Sequence, residues 1–316
     1  MSYDSVMQEI TDGAVIMIDG ATGTELGRRG AQMHKGGAWC ALATASNPDM
    51  LHEIHADYIR AGARVVTANT FATTREVLEP LGFGDRFEAL NRQAVEIAVA
   101  ARDNTPSQEG PVLVAGSISH TRPARRGAWS PQASDIKKFE ADCTEMAAIH
   151  KAAGADLIMG EMLGCPDFTP CVMRAAKAND IPIWLGISTI TFDDGVLRTY
   201  TDASAPLADG LGAIMAEGGT DVMGIMHSRP EVTEAGLKML RQHWSGPMMA
   251  YPDAMFDDPE PSKPIGIDHG IADDMFVDHC REWLDGGVQI IGGCCGLTLS
   301  HMVALSRHLE LASTRA

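Results

Sequence analysis

The sequence predicts a single (β/α)8 barrel over residues 1–316, and three observations point there. Eight short apolar runs recur along the chain, nearly continuous in apolar character, as strands covered on both faces should be. Helix-period segments fill the gaps between them. The third observation is a repeated punctuation: Ala61-Gly62-Ala63, Ala153-Gly154-Ala155, Glu217-Gly218-Gly219 and Asp285-Gly286-Gly287 each close a helix and open a strand. Gly in such places takes the left-handed conformation that ends a helix. Eight units of this kind fit the barrel. An open doubly wound sheet is the structural alternative, but no G-x-G-x-x-G follows the first run.

Taken in order, the first run, 14–19 (AVIMID), ends in Asp19-Gly20. A helix over about 47–61 opens at Pro48 and leads to the second run, 64–70 (RVVTANT), with Asn69, Thr70 and Phe71 at its end. A helix over 89–103 precedes the third run, 111–117 (PVLVAGS). The loop 119–133 then reads as an insertion, and its Arg122, Arg125 and Arg126 offer a place for an anionic substrate group. A helix over 135–152 and the fourth run, 156–162 (DLIMGEM), bring Glu161 to a strand end. The fifth run, 182–189 (PIWLGIST), lies between helices over 166–178 and 206–217. The sixth, 221–227 (DVMGIMH), ends Met226-His227-Ser228, before a helix over 230–243. The seventh, 247–253 (PMMAYPD), runs into a second insertion, 252–266. After a helix over 271–285, the eighth run, 288–294 (VQIIGGC), reaches Gly292-Gly293-Cys294-Cys295-Gly296 and a last helix over 298–311.

Composition narrows the function. With 25 basic against 42 acidic residues, a net charge of −17 argues against nucleic acid and against an anionic membrane surface. No apolar run is long enough to span a bilayer, and residues 1–18 lack a basic-then-apolar leader. Seven scattered cysteines form no disulfide framework, so a reduced, cytoplasmic protein is expected.

In such barrels chemistry sits at the carboxyl ends of the strands. There the pair Cys294-Cys295 stands in a glycine-rich turn. Neighbours on a strand point to opposite faces, but Gly frees the backbone to aim both sulfurs at one point. His227, from the sixth run, supplies a third donor. Two cysteines and a histidine with one open position form an accepted catalytic zinc arrangement. Two other uses remain open. A hydrolase would activate water at the open position, but no first-strand histidine pair or general base can be placed. A closed, non-catalytic zinc or thiol-sensing site would take its fourth ligand from Cys165 or His120. His52-Glu53-Ile54-His55 is not H-E-x-x-H, since its histidines are three apart, and His55 shares a helix face with Leu51 and Tyr58.

These residues resemble the homocysteine S-methyltransferase family, the zinc-dependent (β/α)8 enzymes using betaine, S-methylmethionine or S-adenosylmethionine. The likeness runs from about residue 16 to 310. It rests on the opening motif Asp19-Gly20-Ala21-Thr22-Gly23-Thr24-Glu25-Leu26, the tryptophan segment Ala38-Trp39-Cys40-Ala41, and His55–Ala63 followed by Thr67–Phe71. Ala115-Gly116-Ser117, Ala153–Asp156 and Glu161 fall in order, and Ile290–Gly296 is the most specific piece. The resemblance implies zinc held by Cys294 and Cys295, with His227 replacing a cysteine where the family usually has Asn-Cys. It implies Asp19 and Glu161 for the acceptor's amino group, with Gly20 and Asn69 nearby, and Trp39 and Phe71 at the donor site. Ala72 stands where a betaine cage would carry another aromatic. The expected partners are a small-molecule thiol acceptor and a methyl donor, most readily a sulfonium passing its methyl group to homocysteine to give methionine; a further copy of the chain is compatible with this reading. The loop 118–126 and Leu297 depart from the family pattern and leave the substrate pair open.

Overall fold

The computed structural model of the chain describes residues 2–34, 38–107, 109–120, 133–201, 205–254 and 271–313. The basic cluster Arg122, Arg125 and Arg126 and most of both predicted insertions lie outside these residues. Nine strands are formed among the described residues: β1 Ile16–Ile18, β2 Ala63–Thr67, β3 Leu113–Ser119, β4 Leu157–Leu163, β5 Ile183–Thr191, β6 Leu197–Thr199, β7 Val222–Met226, β8 Met248–Tyr251 and β9 Ile290–Ile291. All but β6 pair in parallel, in the order β4-β3-β2-β1-β9-β8-β7-β5, and a β4–β5 pairing closes the ring. The eight strands of this (β/α)8 barrel correspond to the eight runs of the sequence.

Burial sorts by strand parity, as a period of two requires. One buried cluster fills the barrel interior, including Ile16, Ile18, Val65, Leu113, Leu157, Met159, Trp184, Met249 and Ile290. The other lies between strands and outer helices, with Val66, Val114, Ile158, Leu185, Ile225 and Ile291 facing helix residues such as Ile54, Ala98, Val172 and Leu240. The strand residues in each set alternate, so each strand contributes to both layers. That explains why the runs read as continuously apolar.

Of the elements not expected from the sequence, three bear on the barrel and its rim. A helix, Ser2–Thr11, plugs the amino end of the barrel: Val6 and Ile10 join the interior cluster. The Tyr3 hydroxyl donates to Asp221 at 2.6 Å and accepts from Trp184 Nε1 at 3.0 Å. A short helix, Thr22–Arg28, follows β1 directly. Finally, β5 continues past its expected end into an antiparallel hairpin with β6, turning at Asp193-Asp194. Asp194 accepts from Val196 N–H at 3.0 Å and pairs with Arg198 at 2.7 Å, which closes the turn. No helix among the described residues is long and apolar enough to cross a membrane.

Candidate metal centre

The turn after β9 approaches β1 so closely that a side chain at Gly292 would meet Ile18 Cγ1 at 2.3 Å. Backbone bonds then fix the turn from both sides. Gly293 N–H donates to the Asp19 carbonyl at 3.2 Å, Cys294 N–H to Pro252 at 2.9 Å, and the Cys295 carbonyl accepts from Ala254 N–H at 2.9 Å. Gly296, at φ 78°, completes the reversal. The two sulfurs end up 3.8 Å apart.

His227 is the first residue after β7 and sits at φ 41°, a left-handed conformation that a histidine adopts at a cost. Its neighbours hold it there. Its N–H donates to the Tyr251 carbonyl at 3.1 Å, and the next residue, Ser228, donates from Oγ to the Met226 carbonyl at 2.8 Å while accepting from Thr189 N–H at 2.9 Å. The imidazole Nδ1 lies 3.6 Å from Cys294 Sγ and 3.5 Å from Cys295 Sγ, with the Tyr200 ring edge-on at 5.3 Å. The Asp253 carboxylate stands 3.7 Å from the same nitrogen.

Donor chemistry tests whether these three atoms suit a metal. Tetrahedral zinc, with Zn–S near ~2.3 Å and Zn–N near ~2.05 Å, demands edges of about 3.8 Å between sulfurs and about 3.6 Å between sulfur and nitrogen. The observed 3.8, 3.6 and 3.5 Å match all three edges. The hydrogen bond from Cys294 draws the Cys295 thiol well below its usual range against the effect of burial, and His227 adds to the pull. Burial opposes charge on His227, yet the Cys295 charge beside it prevails and lifts the imidazole to about 9. Among the described residues no other donor joins this group. His120 is stacked on Phe168 at 4.3 Å, and Cys165 is buried in the outer core.

Besides Asp253, two further carboxylates share the cavity with the trio. Asp19 is 4% exposed; its Oδ2 accepts from Thr67 N–H at 2.7 Å and its Oδ1 from Thr67 Oγ1 at 3.2 Å. Burial pushes its pKa up to about 8, against those bonds and with help from the Glu161 charge. Glu161 accepts a hydrogen bond from Ser117 Oγ, and burial lifts it to about 7, with the Cys295 charge adding to the rise. The cavity, about 810 Å³, is walled by Trp39, Phe71, Phe192 and Tyr200, and Gly20 contributes to its lining. Trp39 sits at φ 25°, its ring against Gly23, where a Cβ would approach within 2.6 Å. Asn69 also borders the cavity, but both its amide hydrogens are engaged: Nδ2 donates to the Cys40 carbonyl at 3.0 Å and to Thr44 Oγ1 at 3.1 Å. It fastens the tryptophan segment to β2. His55 lies elsewhere, wholly buried on its helix, with its pKa lowered to about 4 by burial.

Reasoning from sequence missed Thr67, Tyr200 and Arg229 as cavity residues. Thr67 carried a usable signal, two positions before Asn69 on the same run. Tyr200 arrives through the hairpin, which nothing in the period-two pattern announced.

Comparison with known proteins identifies the family. The family described as homocysteine S-methyltransferase matches residues 16–309. The homocysteine S-methyltransferase of Escherichia coli K12 is 28% identical, the match covering 96% of this chain and 99% of that one. Homocysteine S-methyltransferase 2 of Arabidopsis thaliana is 25% identical over 94% of this chain and 93% of its own. Among solved structures, the metallated form of the E. coli homocysteine methyltransferase MmuM superposes with a TM-score of 0.76 at 25% identity, covering 96% of this chain and 99% of that one.

Proposed function

The chain is a methyltransferase belonging to the homocysteine S-methyltransferase family, and on that premise we propose that it methylates the sulfur of homocysteine from a sulfonium donor, using zinc held by His227, Cys294 and Cys295. The observation that carries this reading is the match of three interatomic distances to the edges of a zinc tetrahedron. When bound, the ion supplies Lewis acidity that keeps a thiol in its nucleophilic, deprotonated form near neutral pH.

The remaining work falls to the chain's own groups. Asp19 and Glu161 receive the acceptor's ammonium; Thr67 and Ser117 aim the two carboxylates and keep them from turning away. An ammonium placed between them favours their ionised forms and offsets the desolvation that raises both. Trp39 and Phe71 offer π faces to a sulfonium cation, and the acidic lining favours a cationic donor over a neutral one. Ala72 is buried in a small cluster behind Phe71, so it adds no aromatic face to that wall, which supports a sulfonium over betaine. With both reactants aligned, direct transfer needs orientation and a dry site rather than an acid or base.

A panel of thiols and methyl donors, assayed with zinc-loaded enzyme, tests the proposal. Methyl transfer to homocysteine from S-methylmethionine or S-adenosylmethionine is the expected result. X-ray absorption should show the acceptor sulfur entering a shell of one nitrogen and two sulfurs. A shell unchanged by the thiol would instead mean a closed structural site.

A further inference from the structure

Trp39 and Phe71, two aromatic walls of the cavity, both lie in turns rather than in strands or helices. Phe71 is held from β3: its carbonyl accepts from Ser119 Oγ at 2.9 Å. Just before it, Ala68 N–H donates to the Ala115 carbonyl at 2.8 Å, and Thr70 Oγ1 donates to the Ser117 carbonyl at 2.8 Å. Asn69 stands between these two anchors, so its side chain projects from a fixed backbone.

The tryptophan segment is fixed differently. Its own backbone bonds, from Ala41 N–H to the Ala38 carbonyl at 2.6 Å and from Ala43 N–H to the Cys40 carbonyl at 3.0 Å, shape it without attaching it. Ala38 and Ala41 share a small buried cluster with Ala72 and Val77, but apolar contact is non-directional. Among the described residues, Asn69 makes all the hydrogen bonds that tie residues 38–44 to a strand end. Its amide works in both directions: besides the two bonds from Nδ2, its Oδ1 accepts from Cys40 Sγ at 3.0 Å. Cys40 is thus gripped at carbonyl and thiol, one residue from Trp39. The φ of 25° at Trp39 is a conformation that a residue with a side chain keeps only when its surroundings impose it.

We propose that Asn69 is a positioning residue for the methyl donor, acting through Cys40 to set the Trp39 ring on which the donor's cation docks. The proposal rests on the donor assignment made above. β3 then serves as one frame for both walls, holding Phe71 directly and Trp39 through Asn69. Losing the clamp should weaken the donor and spare the acceptor, whose contacts come from Asp19, Glu161 and the metal trio.

Asn69→Leu keeps the branching of the side chain and removes every bond it makes. The experiment compares zinc-loaded wild type, Asn69→Leu, Trp39→Leu and the double variant, with homocysteine as acceptor and S-methylmethionine or S-adenosylmethionine as donor. Asn69→Leu should raise the donor KM by about two- to thirty-fold, the range that a lost cation–π contact allows, and leave the acceptor KM within about two-fold. In the Trp39→Leu background the same change should be silent within about two-fold, because a residue acting only through Trp39 has nothing left to act on. Fluorine NMR of fluorotryptophan-labelled protein reads the ring itself: the resonance that Trp39→Leu deletes should shift or broaden in Asn69→Leu. Thr44→Val strips one acceptor from the clamp and should move the donor KM and that resonance the same way, to a smaller extent. It carries the test if Asn69→Leu does not fold. An unmoved resonance, an equal rise in both KM values, or effects of Asn69→Leu and Trp39→Leu that simply add overturns the proposal. If Trp39→Leu leaves the donor KM unchanged, the donor assignment falls, while the fluorine signal still decides whether Asn69 seats the ring.

Discussion

Asp19→Asn separates what this carboxylate does for binding from what it costs the fold. Asp19 is buried, and its pKa stands near 8 against an ordinary 3.8. Between those values the folded chain keeps a proton that the unfolded chain has released. More protons are then bound in the native state, so stability falls as pH rises through this window. The loss amounts to about 1.4 kcal/mol per pH unit while the full difference persists, or on the order of 2–3 kcal/mol from pH 5 to 7. Glu161, raised to about 7, adds a slope of the same sign. Asn at position 19 retains an oxygen for Thr67 N–H and titrates nothing. Urea unfolding of the chelator-treated protein at pH 5, 6 and 7 measures the difference. Wild type should lose on the order of 2 kcal/mol more than Asp19→Asn across that range, and the variant should be the more stable protein at pH 7. It should also bind homocysteine more weakly. Parallel stability profiles for the two proteins would refute the claim that Asp19 is held protonated by burial.

Further outcomes follow from the same geometry. Ser117→Ala removes the hydroxyl bond to Glu161, a charge-assisted contact worth about 1.5–3 kcal/mol, so the pH profile of the acceptor KM should move up by about one unit or more; an unmoved profile would separate Glu161 from acceptor binding. Loading the metal at a thousand-fold excess over its dissociation constant should stabilise the fold by about 4 kcal/mol, read as a Tm increase that His227→Ala abolishes. Trp39→Leu should raise the donor KM by about two- to thirty-fold, with zinc content and acceptor affinity unchanged, since a cation–π contact is worth roughly 0.5–2 kcal/mol. Tyr3→Phe leaves the buried Trp184 N–H without its acceptor and should lower stability by about 1–3 kcal/mol at unchanged kcat.

The barrel was legible because burial on both faces leaves an unmistakable trace: each strand is an apolar run, and each return to the sheet is marked by Gly. The meeting of His227 with Cys294 and Cys295 was equally readable, because the barrel places all eight strand ends at one rim. Elements lying outside that repeat were hidden. The helix Ser2–Thr11 sinks only Val6 and Ile10 fully into the core, one turn apart, too few apolar positions to reveal a period. The β5–β6 hairpin did leave Asp193-Asp194-Gly195 as a turn signature, but Thr189-Ile190-Thr191 alone does not declare a strand extension. Asn69 illustrates a further limit: its place at a strand end suggested substrate contact, whereas the partners of its amide hydrogens, Cys40 and Thr44, lie 29 and 25 residues away in sequence. No local pattern records such a pairing. The irregularity of the β4–β5 ladder between Gly160 and Leu163 is hidden for the same reason, since the extra residue is defined only by the strand beside it.

On the proposed metal reading, a histidine at 227 in place of a cysteine would change the electrostatics of the trio more than its shape. Three thiolates around a divalent ion leave the group with net negative charge; one imidazole and two thiolates leave it neutral. A neutral group stabilises an incoming thiolate more strongly, which lowers the acceptor's pKa, and for the same reason makes that sulfur a somewhat poorer nucleophile. The carboxylate of Asp253, 3.7 Å from the imidazole nitrogen, works in the opposite direction. It brings a negative charge back to the neighbourhood without adding a third sulfur. The divergence at 227 and the carboxylate at 253 therefore have to be read together: replacing the histidine alone changes the donor set with the Asp253 charge still in place, and only the paired substitution, His227→Cys with Asp253→Asn, separates the effect of the ligand from the effect of the field around it.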